Sequence, residues 1–314
     1  MPANDSPRLF AEADLRHLEQ LTLMADAVRV GAMKGDRRSR KRGTAIEFAD
    51  YRDYTKGDDL RRLDWNVFAR LERPFIKLTE EEEDLAVHVL VDVSHSMNWP
   101  RDENELPTAD NKLRYGLLLA GALGTIGLLS GDLVQVTLFD SADRQAWGPF
   151  RGRQNNWPLV QFLEAHYAAL WRENGDSRRK TSLDVSLQRY AQRARRPGLL
   201  LLLSDLLSPG DYRPGLSALQ ARGYEIAVLH LLSPDELTPA MGGDLRLIDT
   251  ETGEAAEITL DPLTVEEYSL RAGAWQQAIA THCAARSIHY TKITTDTPWE
   301  MVIQQSLRRQ GVIR

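Results

Sequence analysis

The sequence predicts a doubly wound α/β fold on a mostly parallel sheet, and three observations carry that expectation. Short runs such as Val87-His88-Val89-Leu90-Val91 and Leu199-Leu200-Leu201-Leu202-Leu203 are aliphatic on both faces, as strands covered by helices on each side are. Stretches with helical spacing separate such runs, which is the alternation of a βαβ chain. Both runs then end in a carboxylate, Asp92 and Asp205, where sheets of this class bind their ligands.

In chain order, Leu15, Leu18, Leu21, Met24, Ala25 and Val28 recur at helical spacing and predict an amphipathic helix over about residues 11 to 31. A basic, glycine-bounded loop follows at Gly35 to Gly43 and reads as a solvated face, with contact to an acidic partner or a nucleotide phosphate as the sharper alternative. The segment Glu47 to Arg70 alternates aromatic and charged residues around Lys56-Gly57-Asp58-Asp59, predicting a strand, a turn and a short helix. Arg52, Arg61 and Arg70 stand near Asp50, Asp58, Asp59 and Asp64, and bidentate ion pairs among them are expected to brace it. Phe75 to Leu78 reads as a strand, and the acidic run Thr79 to Asp84 as a solvated approach to the next one.

After Asp92 the pattern predicts a helix over 113–129, strands over 133–139 and 146–150, and helices over 157–170 and 183–194. Beyond Asp205 come a helix over 211–222 ending at Gly223, a strand over 225–232 and a hairpin near 244–260 turning at Gly253. A helix over 265–285, a strand over 288–293 and a closing helix over 299–309 complete the chain.

The chemistry concentrates in Asp92-Val93-Ser94-His95-Ser96. Asp92, Ser94 and Ser96 offer hard oxygen donors, the type that Mg²⁺ or Ca²⁺ prefers to nitrogen or sulfur. One carboxylate and two hydroxyls do not complete an octahedron, so such a site keeps waters and admits a ligand from elsewhere. Taken alone, the same residues read equally well as a strand ending in a polar turn.

Asp-x-Ser-x-Ser after a buried strand resembles the metal-ion-dependent adhesion site of von Willebrand factor A domains. That resemblance implies a divalent cation, Mg²⁺ first, held directly or through water by Asp92, Ser94, Ser96, a second-loop residue and Asp205. Thr181 is the expected second-loop residue, with Ser182 as the alternative; Ser182-Leu183 begins the helix that follows. Glu47-Phe48, Asp50-Tyr51-Arg52, Gly57-Asp58-Asp59, Arg61-x-x-Asp64-Trp65 and Ala69-Arg70 add a second resemblance, to the family called domain of unknown function fifty-eight. It implies a von Willebrand factor A-type domain over 85–314 with a hairpin insertion, preceded over 1–84 by a helix-plus-strand extension. It also implies a cytoplasmic adaptor or co-chaperone acting on a client protein beside a MoxR-type AAA+ ATPase, without an enzymatic reaction of its own.

Composition bounds these readings. With 39 basic against 45 acidic residues the net charge is −6, so nothing pulls the chain as a whole toward nucleic acid. The single cysteine, Cys283, forms no internal disulfide or thiolate cluster and reads as a small core residue, which fits a reducing compartment. The first residues lack the pattern of a signal peptide, and the apolar helix counted from Leu117 to Leu129 is short of the roughly 20 residues of a membrane span. The rival reading is a Mg²⁺-dependent phosphatase on the same aspartates. Position 94, where the haloacid-dehalogenase pattern has a second aspartate, is a serine, and His88 and His95 read as packing and loop-shaping residues.

Overall fold

The computed structural model describes residues 9–10, 14, 48–55, 63–79, 86–101, 108, 110–140, 144–172, 182–193, 196–239, 243–248 and 254–309. The chain divides into two compact units, residues 33–84 and residues 1–32 together with 85–314. The smaller unit ends at residue 84, next to the boundary expected before residue 85. Residues 1–32, expected with the extension, group instead with the larger unit, because Leu9 and Phe10 are buried in its core. Of the predicted 11–31 helix only Asp14 is described, and the basic loop lies outside the described residues.

In the smaller unit β1 (Phe48–Asp53) pairs antiparallel with β2 (Phe75–Thr79), and α1 (Trp65–Leu71) lies between them in sequence. Asp64 caps this helix, its Oδ1 accepting the Asn66 and Val67 amides at 2.9 and 3.1 Å. The carboxylate expected in an ion pair thus satisfies orphan helix donors. Asp58, Asp59 and Arg61 fall outside the described residues, as do the side chains of Asp50 and Arg52.

The larger unit opens with β3 (Ala86–Asp92), buried along its whole length, and a turn of 3₁₀ helix at His95–Met97. Then follow α2 (Lys112–Ser130), β4 (Leu133–Phe139), β5 (Arg144–Phe150), α3 (Asn156–Arg172), α4 (Leu183–Arg193) and β6 (Leu199–Ser204). Next come α5 (Arg213–Ala221), β7 (Glu225–Leu232), the four-residue α6 (Pro234–Leu237) and the hairpin β8 (Gly243–Ile248) and β9 (Ala255–Leu260). The chain closes with α7 (Pro262–Ala285), β10 (His289–Thr294) and α8 (Trp299–Met301), which continues as a π-helix over Val302–Leu307. That π-helix replaces the regular α-helix expected over 299–309.

The sheet order is β10-β7-β6-β3-β4-β5, parallel except for β5, which runs antiparallel to β4 along one edge. This is the mixed α/β architecture with a largely parallel sheet that the aliphatic runs predict. From β3 the chain steps to β4 on one side and later to β6 on the other, so the strand order reverses beside the ends of β3 and β6. Such a reversal opens a crevice at the carboxyl edge of the sheet.

Side-chain alternation divides the core in two. Val87, Val89 and Val91 join Leu201 and Leu203 on the face of α2 and α3, while Leu90, Leu200 and Leu202 face Leu187, Leu216 and Cys283 on the other. Cys283 is fully buried, as expected. Helix α2 starts earlier than its apolar run suggests, and its 19 residues reach the length and composition of a membrane span. Its burial, 78% within the fold, marks it as the central core helix packed on β3 and β4.

His88 sits within β3, its Nε2 against the Arg196 carbonyl at 3.0 Å and its Nδ1 against the Tyr190 hydroxyl at 2.7 Å. A carbonyl only accepts, so Nε2 carries the proton and Nδ1 accepts from the tyrosine. Burial lowers the His88 pKa below its usual 6.5, against a smaller upward pull from the Arg196 carbonyl.

Two outcomes follow. A Cβ on Gly198 would overlap the Ala86 carbonyl, so Gly198→Ala is expected to cost about 1–3 kcal/mol in urea unfolding. Because the folded state holds His88 neutral, its contribution is complete above pH 6.5 and is lost progressively as pH falls from there through the lowered folded-state pKa. Urea midpoints measured against pH should therefore fall on the acid side, and more gently in His88→Gln, which cannot charge.

Candidate metal centre

Parallel pairing brings the ends of β3 and β6 level, with Val91 opposite Leu203. The next residue along each strand is Asp92 and Ser204, and the Ser204 hydroxyl donates to Asp92 Oδ2 at 2.7 Å. Asp92 Oδ1 accepts the Ser94 amide at 3.0 Å, so two donors fix the carboxylate's orientation. Asp92 is 1% exposed. Burial first, and then the negative charge of Asp205, raise its pKa from 3.8 to about 6, against the hydrogen bonds from Ser204 and Ser94. Two carboxylates close enough to repel are thus buried at one sheet edge.

The structure brings Ser94 and Ser96 together as well, their hydroxyl oxygens 3.0 Å apart. Neighbouring oxygens around an octahedral Mg²⁺, each about 2.1 Å from the ion, lie about 3 Å apart, so the pair has the spacing of one edge of such a shell. Among the described residues no three His, Cys, Asp or Glu side chains gather. A cation here would rest on carboxylate and hydroxyl oxygens, the donor chemistry that suits a hard ion.

Thr181 lies outside the described residues. Ser182, its alternative, begins α4 as expected, its hydroxyl facing the Val185 amide at 3.5 Å. The Leu183 amide donates to the Ser208 hydroxyl at 3.1 Å, which ties the start of α4 to the loop after Asp205.

Asp205 is fully buried and both its carboxylate oxygens have donors within the chain. Oδ1 accepts the Leu207 amide at 3.1 Å, and Oδ2 accepts from the Lys112 ammonium at 2.7 Å. Lys112, 0% exposed, also meets Glu236 Oε1 at 2.5 Å. Burial alone would lower the lysine pKa, but the charges of Asp205 and Glu236 outweigh it and raise the value, so the ammonium stays charged. Glu236 is held in turn by a capping box at the start of α6, its Oε2 accepting the Ser233 amide at 2.8 Å. Behind Asp205, His230 Nε2 donates to the Asp205 carbonyl at 2.9 Å while the Tyr290 hydroxyl lies 2.8 Å from Nδ1. Burial pushes the His230 pKa down to about 4, consistent with a neutral ring donating through Nε2.

Asn111, fully buried, joins the site loop to α2. Its Nδ2 donates to Asn98 Oδ1 at 3.1 Å and to the Pro100 carbonyl at 3.0 Å, while its Oδ1 caps the helix at the Arg114 amide. The Lys112 amide donates to the Trp99 carbonyl at 2.8 Å. Trp99 is half-buried in this loop.

Asp92, Ser94, Ser96 and Asp205, singled out from the sequence, lie at and after neighbouring strand ends, and Ser204, Asn111, Lys112 and Glu236, which the sequence did not single out, are bonded around them. One signal was readable. Lys112 opens an apolar helix, where a positive charge opposes the helix dipole and calls for a compensating anion.

A family model described as "Protein of unknown function DUF58" matches residues 50–278. Uncharacterized proteins of Mycobacterium bovis and Mycobacterium tuberculosis are each 24% identical over 311 residues, spanning 98% of this chain and 92% of the relative. Among solved structures, the conserved hypothetical protein BatB from Bacteroides thetaiotaomicron is 14% identical with a TM-score of 0.43, covering 73% of this chain and 99% of its own.

Ser204 serves two buried groups, donating to Asp92 and accepting the Leu206 amide at 3.0 Å. Ser204→Ala leaves both without that partner and is expected to lower stability by about 1–3 kcal/mol, read from urea unfolding.

Proposed function

The chain belongs to the family described as "Protein of unknown function DUF58", and from that premise we propose that it is a metal-dependent protein-interaction module of von Willebrand factor A type, not an enzyme. One observation carries the reading. At the point where the strand order reverses, the Ser94 and Ser96 hydroxyls stand 3.0 Å apart beside the buried carboxylate of Asp92, with Asp205 at the end of the neighbouring strand. Asp92, Ser94 and Ser96 would hold a divalent cation, Mg²⁺ first, with Asp205 and a second-loop hydroxyl, Thr181, completing its surroundings directly or through water. The bound ion supplies a Lewis acid, and an acidic side chain of a partner fills the position that the chain leaves open. What the chain itself does is orient Asp92 through the Ser94 amide and the Ser204 hydroxyl.

The family resemblance makes a MoxR-type AAA+ ATPase the first partner to try. The role we propose is that of a cytoplasmic adaptor or co-chaperone presenting a client protein to that ATPase during complex assembly or maturation. For a hydrolase the charge arrangement is unfavourable. The position two beyond Asp92 is a hydroxyl, and Lys112 is wholly buried between two carboxylates, where no substrate reaches it.

Capture of a MoxR-type AAA+ ATPase from the same organism on immobilised protein, with Mg²⁺ and with chelator, tests the reading. Mg²⁺ should strengthen capture, and Asp92→Asn should weaken it by about tenfold or more while circular dichroism stays unchanged. Equal capture in chelator would remove the metal from the mechanism, and metal-dependent release of phosphate from a generic phosphomonoester would favour the enzyme.

A further inference from the structure

Lys112 is hard to explain as a stabilising residue. A charged group at the first position of a core helix opposes the helix dipole, and burying an ion pair gains little over a well-packed apolar side chain. Yet its ammonium is fully buried, 2.7 Å from Asp205 Oδ2 and 2.5 Å from Glu236 Oε1. Its backbone is also fixed, by its own amide on the Trp99 carbonyl and by Asn111 bracing the loop that carries Ser94 and Ser96. The lysine and the two serines are therefore held in one frame, and the ammonium is delivered to the carboxylate on the neighbouring strand end.

We propose that Lys112 is the positioning residue that sets the charge of the cation site, holding Asp205 Oδ2 so that Asp205 acts on the cation only through water. This deepens the interaction reading above and rests on it. With Asp205 neutralised by an internal cation, Asp92 is, of the two strand-end carboxylates, the one left to balance the charge of the metal. A divalent ion neutralised by a single carboxylate keeps positive charge toward the open side, and a partner's carboxylate is the ligand that answers it. Were both aspartates bound directly, the ion would be neutral and its pull on an acidic partner weak. Glu236, braced by Ser233, anchors the lysine from the far side.

The experiment uses Mn²⁺ alone on the full chain, reading affinity by titration calorimetry and metal-bound water by proton relaxation. In Lys112→Met, which keeps length and loses charge, Asp205 is free to reach the metal. Mn²⁺ should bind about tenfold tighter or more and carry fewer exchangeable waters. The double variant Lys112→Met/Asp205→Asn removes one charge of each sign and carries the test should the single variant not fold. Its affinity should stay within about threefold of the wild type, with the same water number. If Asp205 were a direct ligand in the wild type, the double variant would instead lose about a hundredfold in affinity and gain a water. A folded Lys112→Met with unchanged affinity and relaxation overturns the role of Lys112 and leaves the interaction reading standing. Absence of Mn²⁺ binding to the wild type overturns the reading on which both rest.

Discussion

Two buried carboxylates at adjacent strand ends of a parallel sheet are the constraint to which the larger unit is fitted. Each taken alone in an apolar interior would cost several kcal/mol, and together they repel. The fold answers each differently. Asp92 receives an amide and a hydroxyl, whose dipoles offset burial and the Asp205 charge only in part, and its pKa stays raised. Asp205 receives a full positive charge from Lys112. The inequality between them is chemical as well as electrostatic, because the dipole-held carboxylate still wants a cation and the ion-paired one already has one.

The surrounding elements carry the consequences. Lys112 brings a charge of its own into the core, and Glu236 balances it, which requires α6 to begin where its capping box can hold that glutamate. His230 must be neutral to leave the balance undisturbed, and burial keeps it so. Leu206 takes a left-handed backbone, φ 57°, directly after Asp205, which turns the chain so that its amide meets Ser204 Oγ and the next amide meets Asp205 Oδ1. Such a conformation costs a branched side chain about 1–2 kcal/mol, so the two hydrogen bonds and the burial of Leu206 must offset it.

Much of this architecture was legible because parallel strands buried on both faces leave unmistakable aliphatic runs. Strand limits at 133–139 and 225–232 follow the sequence pattern residue for residue, and the aliphatic run from Leu199 to Leu203 lies within β6. Carboxylates at the ends of two such runs stood out for the same reason, since a charge directly after a buried strand has no packing role. Pairings across the fold left no local trace. Lys112 bonds to a residue 93 positions away and Glu236 to one 124 positions before it, and nothing in a hydrophobic period reports such a distance. The helix start was missed because the eye counts apolar residues, and α2 begins with a lysine whose reason lies in another strand. Asp64 shows a demand that its charge does not announce: beside the arginines that suggest an ion pair, the open amides of the helix it precedes take its Oδ1.

The location of the site also bears on what it can do. Asp92 and Asp205 are set by the sheet, and the Ser94–Ser96 loop is tied to α2 through Asn111, so these donors stand on rigid elements that hold their arrangement before any ligand arrives. Preorganised oxygens limit the rearrangement required when a cation enters, and they favour a ligand that completes the shell from outside over one that must reshape it. The lysine is enclosed between carboxylates and His230 faces a backbone carbonyl and a tyrosine, so neither side chain is presented to a ligand. On the proposed reading such a surface would hold a partner's carboxylate, and its selectivity would lie in how much positive charge the chain leaves on the metal.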